Sequence, residues 1–437
     1  MGHFIIEGGR PLKGAITIQG SKNATLPILA ATLLTNQECV IANAPRIADV
    51  ERLLELMTSI GVKVKRLADG TLKIKASRLS LEKIDQAAVG RFRASVLCIG
   101  ALLARQELTT LAEPGGCQIG ARSLDTHLNA LKDLGVQIKP QELVMGKGAQ
   151  ATRMRAYAFD RRKVRAGRVT LGELSVTATE NVLLLAASLP GLTELHMAAL
   201  EPHVQELGEV LKIMGAEISG LGTHTLYIKG RAKLSGFKHR ISPDMLEAGT
   251  FLVAAAVTRG ELTLQNIIPG HNQSTFHLAR QMGVNLIYDE QRPIYEEQPL
   301  TVRGQARYLA GRIQDMPYPG FPTDLQAPFG VLATQATGAS FIHDPLYEGR
   351  LKYLEELGKM GANTFIADPH RAIIFGPTAL SGQDIQTFDI RAGATLLIAG
   401  LAAKGRTILR NSYQLDRGYE RIDTRLNAVG ANITRLA

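Results

Sequence analysis

Tryptophan is absent from this chain, and aromatic residues reach only 5% of its 437 positions. So few rings argue against a surface that stacks the bases of single-stranded nucleic acid, where aromatics alternate with cations. They also leave the core to aliphatic side chains, which a hydrophobic fraction of 45% supplies in sufficient number. Cysteine is scarce too: Cys39, Cys98 and Cys117 are the three present. An odd count at wide spacing forms neither a disulfide framework nor a zinc pattern. It implies a reducing compartment, so a cytoplasmic location is expected. Long apolar runs are missing as well. The longest, ATLLIAGLAA at 394–403, is too short to span a bilayer, so no membrane insertion is expected. The opening MGHFIIEGGRP shows no basic segment followed by an apolar one, which argues against a signal peptide. Ile6 stands where myristoylation of Gly2 would want Ser or Thr.

What is present in excess is positive charge. The formal net charge is +10, which favours anionic partners such as nucleic acid, acidic membranes or phosphorylated small molecules. Residues 153–168 concentrate it: Arg153, Arg155, Arg161, Arg162, Lys163, Arg165 and Arg168 stand against the single acid Asp160. The ordinary expectation for such a run is a solvated, partly flexible loop. The other is a partner surface, although no duplex-reading motif accompanies it.

The chain repeats itself. An apolar helix ending in a hydrophobic residue, then Gly, then Val or Ala, then a strand recurs as SIGVKVK, DLGVQIK, IMGAEIS, QMGVNLI, KMGANTF and AVGANIT. Their glycines are Gly61, Gly135, Gly215, Gly283, Gly361 and Gly430. A spacing of roughly 70–80 residues suits a compact supersecondary unit rather than a short solenoid repeat. A second type of segment, small and apolar throughout, recurs as LVAAAVTRGELTLQN, GVLATQATGASFIHD and LLIAGLAAKGRTILRN. It reads as a buried helix with a left-handed glycine cap, followed by a half-buried strand. In DVERLLELMTSIG, Val50, Leu53, Leu54, Met57 and Ile60 keep the spacing of one helical face, with Glu51, Arg52 and Glu55 opposite. The expectation is an α/β protein of six such units, three per half. The breaks are expected near Gly20 and between Arg240 and Pro243.

Several segments depart from the repeat, and departures are where function is sought. GSKNA sets Lys22 and Asn23 at the start of an apolar helix, a place that attracts anions. It is not a nucleotide-cradling loop, because GAITIQGSKN lacks the required glycine-lysine spacing. Capping by Ser21 or Asn23 is the plainer alternative. EPGGCQIGARSLDTHL holds Cys117 among glycines with Arg122 downstream. Nearby cations favour a reactive thiolate, whereas Cys98 reads as a core residue and Cys39 as a strand residue. In PGFPTDLQAPF, two prolines fix the position of Asp324, which suits a general base. A helix N-cap by Thr323 or Asp324 is the competing explanation. Arg93, Arg350, Arg391 and Arg417 are each ordinary ion-pair candidates. With Lys22 and Arg122 they could instead form one basic cleft for phosphate and carboxylate groups.

GSKNA, PGGCQIGARSLDTH, SVTATEN, PDMLEAGTFLVAAA, PGFPTDLQA, YEGR, DIRAGATL and DRGYERI follow one another in a recognisable order. Over essentially its whole length the chain resembles the UDP-N-acetylglucosamine 1-carboxyvinyltransferases, the enolpyruvyl transferases of peptidoglycan synthesis. The resemblance implies a two-domain inverse α/β barrel with three units per domain: 21–241 in one, 1–20 and 242–437 in the other. It implies substrates bound between domains that close, no metal or organic cofactor, and no nucleic acid partner. The expected assembly is a monomer.

Residue by residue, the resemblance assigns Cys117 as the acid that protonates the methylene carbon of phosphoenolpyruvate and as the target of fosfomycin. Asp324 matches the base for the sugar 3-hydroxyl. Lys22, Arg122 and Arg417 match phosphate-binding cations. Arg350 and Arg391 match residues near the pyruvyl carboxylate, and Asn23 and Thr323 match sugar contacts. Ser123, Leu124, Asp125 and His127 continue the uridine segment from Arg122, with Ser175, Val176 and Thr177 opposite. Arg93, Leu346 and Asp389 complete the substrate-binding set. Three departures stand out: Glu173 where many members carry Lys, and Met245 and Leu200 where Arg is usual. A carboxylate at 173 would be expected to repel a diphosphate. The alternative readings are transfer to shikimate 3-phosphate and a catalytically silent nucleotide-sugar-binding paralogue. The shikimate enzymes lack the cysteine loop, and silence would have been favoured by loss of Cys117 or Asp324.

Overall fold

The computed structural model describes residues 2–115, 123–145 and 152–436. They divide into two compact units: the residues up to Gln19 together with those from Pro243 onward, and the residues from Gly20 to Ser242. Each unit has its own hydrophobic core.

In the Gly20–Ser242 unit, three helices lie at the centre: Lys22–Ala31, Cys98–Arg105 and Val176–Ala186. They are buried on nearly every side: most of their residues are apolar, and polar ones beyond the first turn, such as Glu180 and Asn181, are buried as well. Glycine permits the close approach: a Cβ on Gly100 would lie 2.3 Å from the carbonyl oxygen of Asn181. Three sheets surround these helices among the described residues. One orders Lys238–Arg240, Glu38–Ala42, Leu72–Lys75 and Lys63–Arg66. The second orders Glu217–Ser219, Thr225–Gly230, Gly191–His196 and Arg168–Thr170. The third places Thr152–Asp160 between Leu108–Ala112 and Gln137–Met145.

The other unit follows the same plan. Helices Met245–Val257, Thr323–Thr334 and Ile390–Ala402 pack on one another at its centre. The first sheet around them runs Asp384–Gln386, Arg406–Arg410, His3–Glu7, Ile433–Leu436, so the N-terminal strand is central to it. The second runs Asn285–Ile287, Gln298–Arg303, Glu261–Ile267, Lys13–Thr17. In the third, Ala336–His343 pairs with Arg371–Gly376 and, in parallel, with Arg312–Gln314.

The outer helices are amphipathic, as helix Ala48–Ser59 shows. Val50, Leu53, Leu54 and Met57 are buried, Arg52 and Glu55 are exposed, and Ile60 just beyond its end is buried. The recurring glycines Gly61, Gly135, Gly215, Gly283, Gly361 and Gly430 all have φ between 88° and 112°. Each ends a helix in the left-handed conformation that side chains resist.

Two expectations need correction. The basic run at 153–168 is not a loop throughout: Thr152–Asp160 is a regular strand. Its register runs Thr152 against Met145 through Asp160 against Gln137. The arginines tolerate a strand because this stretch keeps largely exposed or half-buried positions, and Arg153 reaches Glu142 across the pair at 3.2 Å. The capping role for Thr323 or Asp324 also fails. Pro322 occupies the N-cap position with no side-chain cap, and the Asp324 carboxylate accepts from arginines instead.

Candidate functional site

In the unit that holds the N-terminal strand, Asp324 lies in the first turn of helix Thr323–Thr334. Its Oδ1 accepts from Arg350 Nη2 at 2.7 Å and its Oδ2 from Arg391 Nε at 2.9 Å. Both guanidinium groups are nearly covered, with side-chain exposures of 8% and 7%, while Asp324 keeps 24%. Burial opposes the charge on Arg391, but Tyr419, Asp324 and Asp244 outweigh it and hold the guanidinium protonated. Tyr419 donates geometry as well as field: Arg391 Nη1 donates to its hydroxyl at 2.8 Å, and the guanidinium lies 5.4 Å from the ring centre. Burial likewise works against Arg350, and Asp324 and Asp389 restore its charge. Arg350 Nε finds no hydrogen-bond acceptor among the described residues.

The flanking residues are set by local structure. Asp389 caps helix Ile390–Ala402, accepting from the backbone N–H groups of Arg391 and Ala392 at 2.7 and 2.9 Å. This fixes where Arg391 leaves the helix. Thr323 donates to Asp344 Oδ2 at 3.2 Å, and Leu346, 40% exposed, donates its N–H to the same carboxylate at 2.9 Å. Arg417 ends the short helical segment Ser412–Arg417 and donates to Gln414 at 3.0 Å. Met245 opens helix Met245–Val257 and packs against the core.

In the other unit, Ser21 caps helix Lys22–Ala31, accepting from Ala24 N at 3.2 Å. Lys22 reaches the buried Asp49 at 3.6 Å, and Asn23 is half-buried in the same first turn. A second cluster joins the starts of helices Asp125–Asp133 and Val176–Ala186. His127 Nε2 meets Thr177 Oγ1 at 3.1 Å and its Nδ1 meets Asn181 Nδ2 at 3.2 Å. Burial first, then Arg93, push this imidazole down to about 3, so it is neutral at ordinary pH. It is therefore a strut between helices rather than a cation. Thr126 donates to Glu173 at 2.9 Å across the same gap. Arg93 donates to the Ser123 carbonyl at 3.2 Å, and Ser123 Oγ accepts from Asp125 N at 2.9 Å. Leu124 is buried, Ser123 and Asp125 are exposed, and Ser175, as N-cap, accepts from Ala178 N at 3.4 Å with Val176 beside it half-buried. Two helix N-termini and Arg93 thus meet here beside the exposed carboxylates of Asp125 and Glu173. Leu200 lies away from this cluster in the chain and gives its carbonyl to Gln205 at 2.7 Å.

Cys117 and Arg122 lie outside the described residues. Cys98 and Cys39 are buried, and burial raises their thiols to about 12 and about 11, the values of inert core residues. Sequence reasoning passed over Asp49, Asp344, Asn181 and Tyr419, which hold Lys22, Thr323, His127 and Arg391. The position of Asp49 at the start of an amphipathic helix resembled ordinary first-turn acid, and Tyr419 gave no signal outside its motif.

The architecture matches that of the enolpyruvyl transferase NikO from Streptomyces tendae, with a TM-score of 0.84 and 24% identity over 99% of this chain and 98% of that one. EPSP synthase from Acinetobacter baumannii follows at a TM-score of 0.74 and 18% identity over the full length of both. These likenesses establish the α/β enolpyruvyl transferase fold. The sequence profile of the EPSP synthase (3-phosphoshikimate 1-carboxyvinyltransferase) family matches residues 6–426. The chain belongs to that family. Within it, similar curated relatives carry another name, UDP-N-acetylglucosamine 1-carboxyvinyltransferase. The one from Treponema denticola is 37% identical over 99% of both chains. That from Trichormus variabilis is 39% identical over 99% of this chain and 93% of its own. Among the described residues no helix is long and apolar enough to cross a membrane.

Proposed function

We infer that this chain transfers the enolpyruvyl group of phosphoenolpyruvate to the 3-hydroxyl of UDP-N-acetylglucosamine, releasing phosphate, in the cytoplasm and as a step of peptidoglycan synthesis. The observation that carries this reading is the Asp324 carboxylate clasped by two nearly buried arginines. Both oxygens of the carboxylate that would accept the proton are occupied by guanidinium donors. An incoming carboxylate or phosphate competes for the guanidinium groups, and the buried Arg350 Nε has no acceptor of its own among the described residues. Binding of an anionic substrate thereby loosens the clasp and frees the base. A neutral substrate would leave it locked.

In the reaction proposed, the Cys117 thiol gives its proton to C3 of the enol while Asp324 takes the proton of the sugar hydroxyl. The hydroxyl oxygen bonds to C2, giving a tetrahedral phospho-ketal. Loss of a proton from C3 then restores the double bond as phosphate departs with the C2–O electron pair. Lys22, Arg122 and Arg417 would stabilise the leaving phosphate. The joined helix starts at Ser123–His127 and Ser175–Thr177 suit the uridine and diphosphate. Glu173 acts against diphosphate charge, although its bond to Thr126 disperses part of that effect.

The deciding measurement is phosphate release from phosphoenolpyruvate, with UDP-N-acetylglucosamine, with shikimate 3-phosphate, and with neither. Release only with the nucleotide sugar supports the assignment. Release only with shikimate 3-phosphate transfers the chain to the sister reaction, and release with neither marks a silent binder.

A further inference from the structure

We propose that Asp315 and Asp344 share a single proton, and that this buried acid pair positions Thr323 and the Asp344–Arg350 turn beside Asp324. Asp315 directly follows strand Arg312–Gln314 and Asp344 directly follows strand Ala336–His343. These strands are parallel, with Ile313 against Ile342 and Gln314 against His343. One residue further, the register sets Asp315 against Asp344, and the backbone bond from Asp315 N to His343 O at 3.0 Å continues the ladder. Ile313 and Ile342 face the core, so the two aspartates, two positions on, face it too. Both are 0% exposed.

The hydrogen bonds are unequal. Asp344 is fully engaged as an acceptor, with Leu346 N and Tyr347 N on Oδ1, each at 2.9 Å, and Thr323 Oγ1 on Oδ2 at 3.2 Å. Neither Asp315 oxygen has a donor in full hydrogen-bond geometry among the described residues; the Thr323 hydroxyl, given to Asp344, is the smallest of the influences on it. A buried carboxylate with no donor is untenable beside a second one. The conflict disappears if Asp315 is the acid and donates its O–H to Asp344. The titratable groups that bear on the pair support this form. Burial, then Asp344 through charge and hydrogen bonding, push Asp315 up from 3.8 to about 9, and Arg350 and the Thr323 hydroxyl oppose only in part. Tyr353, from helix Tyr353–Lys359, is fully buried with its phenol held protonated.

The pair is joined to the candidate base by short links. Thr323, held by Asp344, precedes Asp324 in the chain. Tyr347, held by Asp344 through its N–H, lies under the Arg350 guanidinium at 5.2 Å, and Arg350 grips Asp324. Asp315 is thus a positioning residue. Its catalytic consequence rests on the proposed enolpyruvyl transfer, whereas the shared proton does not.

Three measurements on the full chain test this. Infrared difference spectra between wild type and Asp315→Asn at neutral pH should show a protonated carboxyl band that shifts in heavy water. Its absence overturns the proposal. Thermal melts test the sign. Folding takes up a proton between the unfolded value near 3.8 and the folded value near 9, so this residue costs stability progressively as pH rises through that window. Asp315→Asn, whose amide donates without titrating, should therefore gain in melting temperature over wild type from pH 5 to pH 8. A constant or shrinking difference overturns it. Asp315→Ala should lower kcat on the order of tenfold, and Asp315→Asn should restore it. Equal kcat loss in both overturns the positioning role. If wild type itself shows no turnover with UDP-N-acetylglucosamine, the reaction assignment fails, while the band and the melts still decide the proton.

Discussion

Replacing Asp324 by Asn separates the two roles of this carboxylate. The substitution is nearly isosteric, so the amide oxygen can still accept from one guanidinium. What it removes is the negative charge that offsets two guanidinium groups, each less than a tenth exposed. Breaking a buried pair by removing one partner costs about 3–5 kcal/mol. Asp324 is itself a quarter exposed, so solvent softens the loss, and the expected destabilisation is about 2–3 kcal/mol. Loss of a general base lowers turnover by roughly 10²–10⁴-fold. Binding of phosphoenolpyruvate should move the other way. With no carboxylate to displace, the arginines accept the anion more readily, so its KM should stay level or fall. Phosphoenolpyruvate should also raise the melting temperature of the variant more than that of wild type. Phosphate-release kinetics and melts with and without ligand read all three. A variant with wild-type kcat, or one with collapsed kcat and a much raised KM for phosphoenolpyruvate, would refute the idea of a base held in reserve by its arginines.

Cys117→Ala should nearly abolish phosphate release at neutral pH, and Cys117→Asp should stay active while resisting fosfomycin; ordinary fosfomycin inactivation of the Asp variant would remove the thiol from its role. Because the imidazole of His127 is neutral in the fold and pushed down to about 3, the unfolded chain binds the extra proton below its ordinary 6.5, so this site's stability is complete above 6.5 and lost as pH falls toward 3. His127→Gln should flatten acid denaturation across that window, which chemical denaturation at several pH values would reveal. Gly100→Ala drives a Cβ to 2.3 Å from Asn181 O, so the helices must part; about 1–3 kcal/mol of stability should be lost. Nucleotide-sugar affinity by calorimetry should weaken with it, since Asn181 holds His127.

Much of this molecule is local in origin. Small apolar runs such as LVAAAV have no polar face, so they form helices only where every side is covered, and they line the two cores. The glycines after the outer helices permit a φ that other residues resist, and that property travels with the residue. The chemistry-bearing motifs were equally legible, because Asp324, Arg350 and Arg391 each sit in a short recognisable segment. Which of them meet was not. Asp324 finds Arg350 and Arg391 at 26 and 67 positions' separation, because helices Thr323–Thr334 and Ile390–Ala402 pack together and the short turn Arg350–Lys352 brings in Arg350. Whether Thr323 or Asp324 would cap its helix depended on where the turn began, and Pro322 took that place. The strand at Thr152–Asp160 escaped notice because its arginines alternate toward solvent, where charge carries no periodic apolar signal. The meeting of Asp315 and Asp344 is the extreme case. Each is an unremarkable acid in sequence, and only a parallel register brings both into the same dry interior. Local preference is a property of neighbouring residues, whereas a charge is defined by what surrounds it, and the surroundings exist only once the chain has folded.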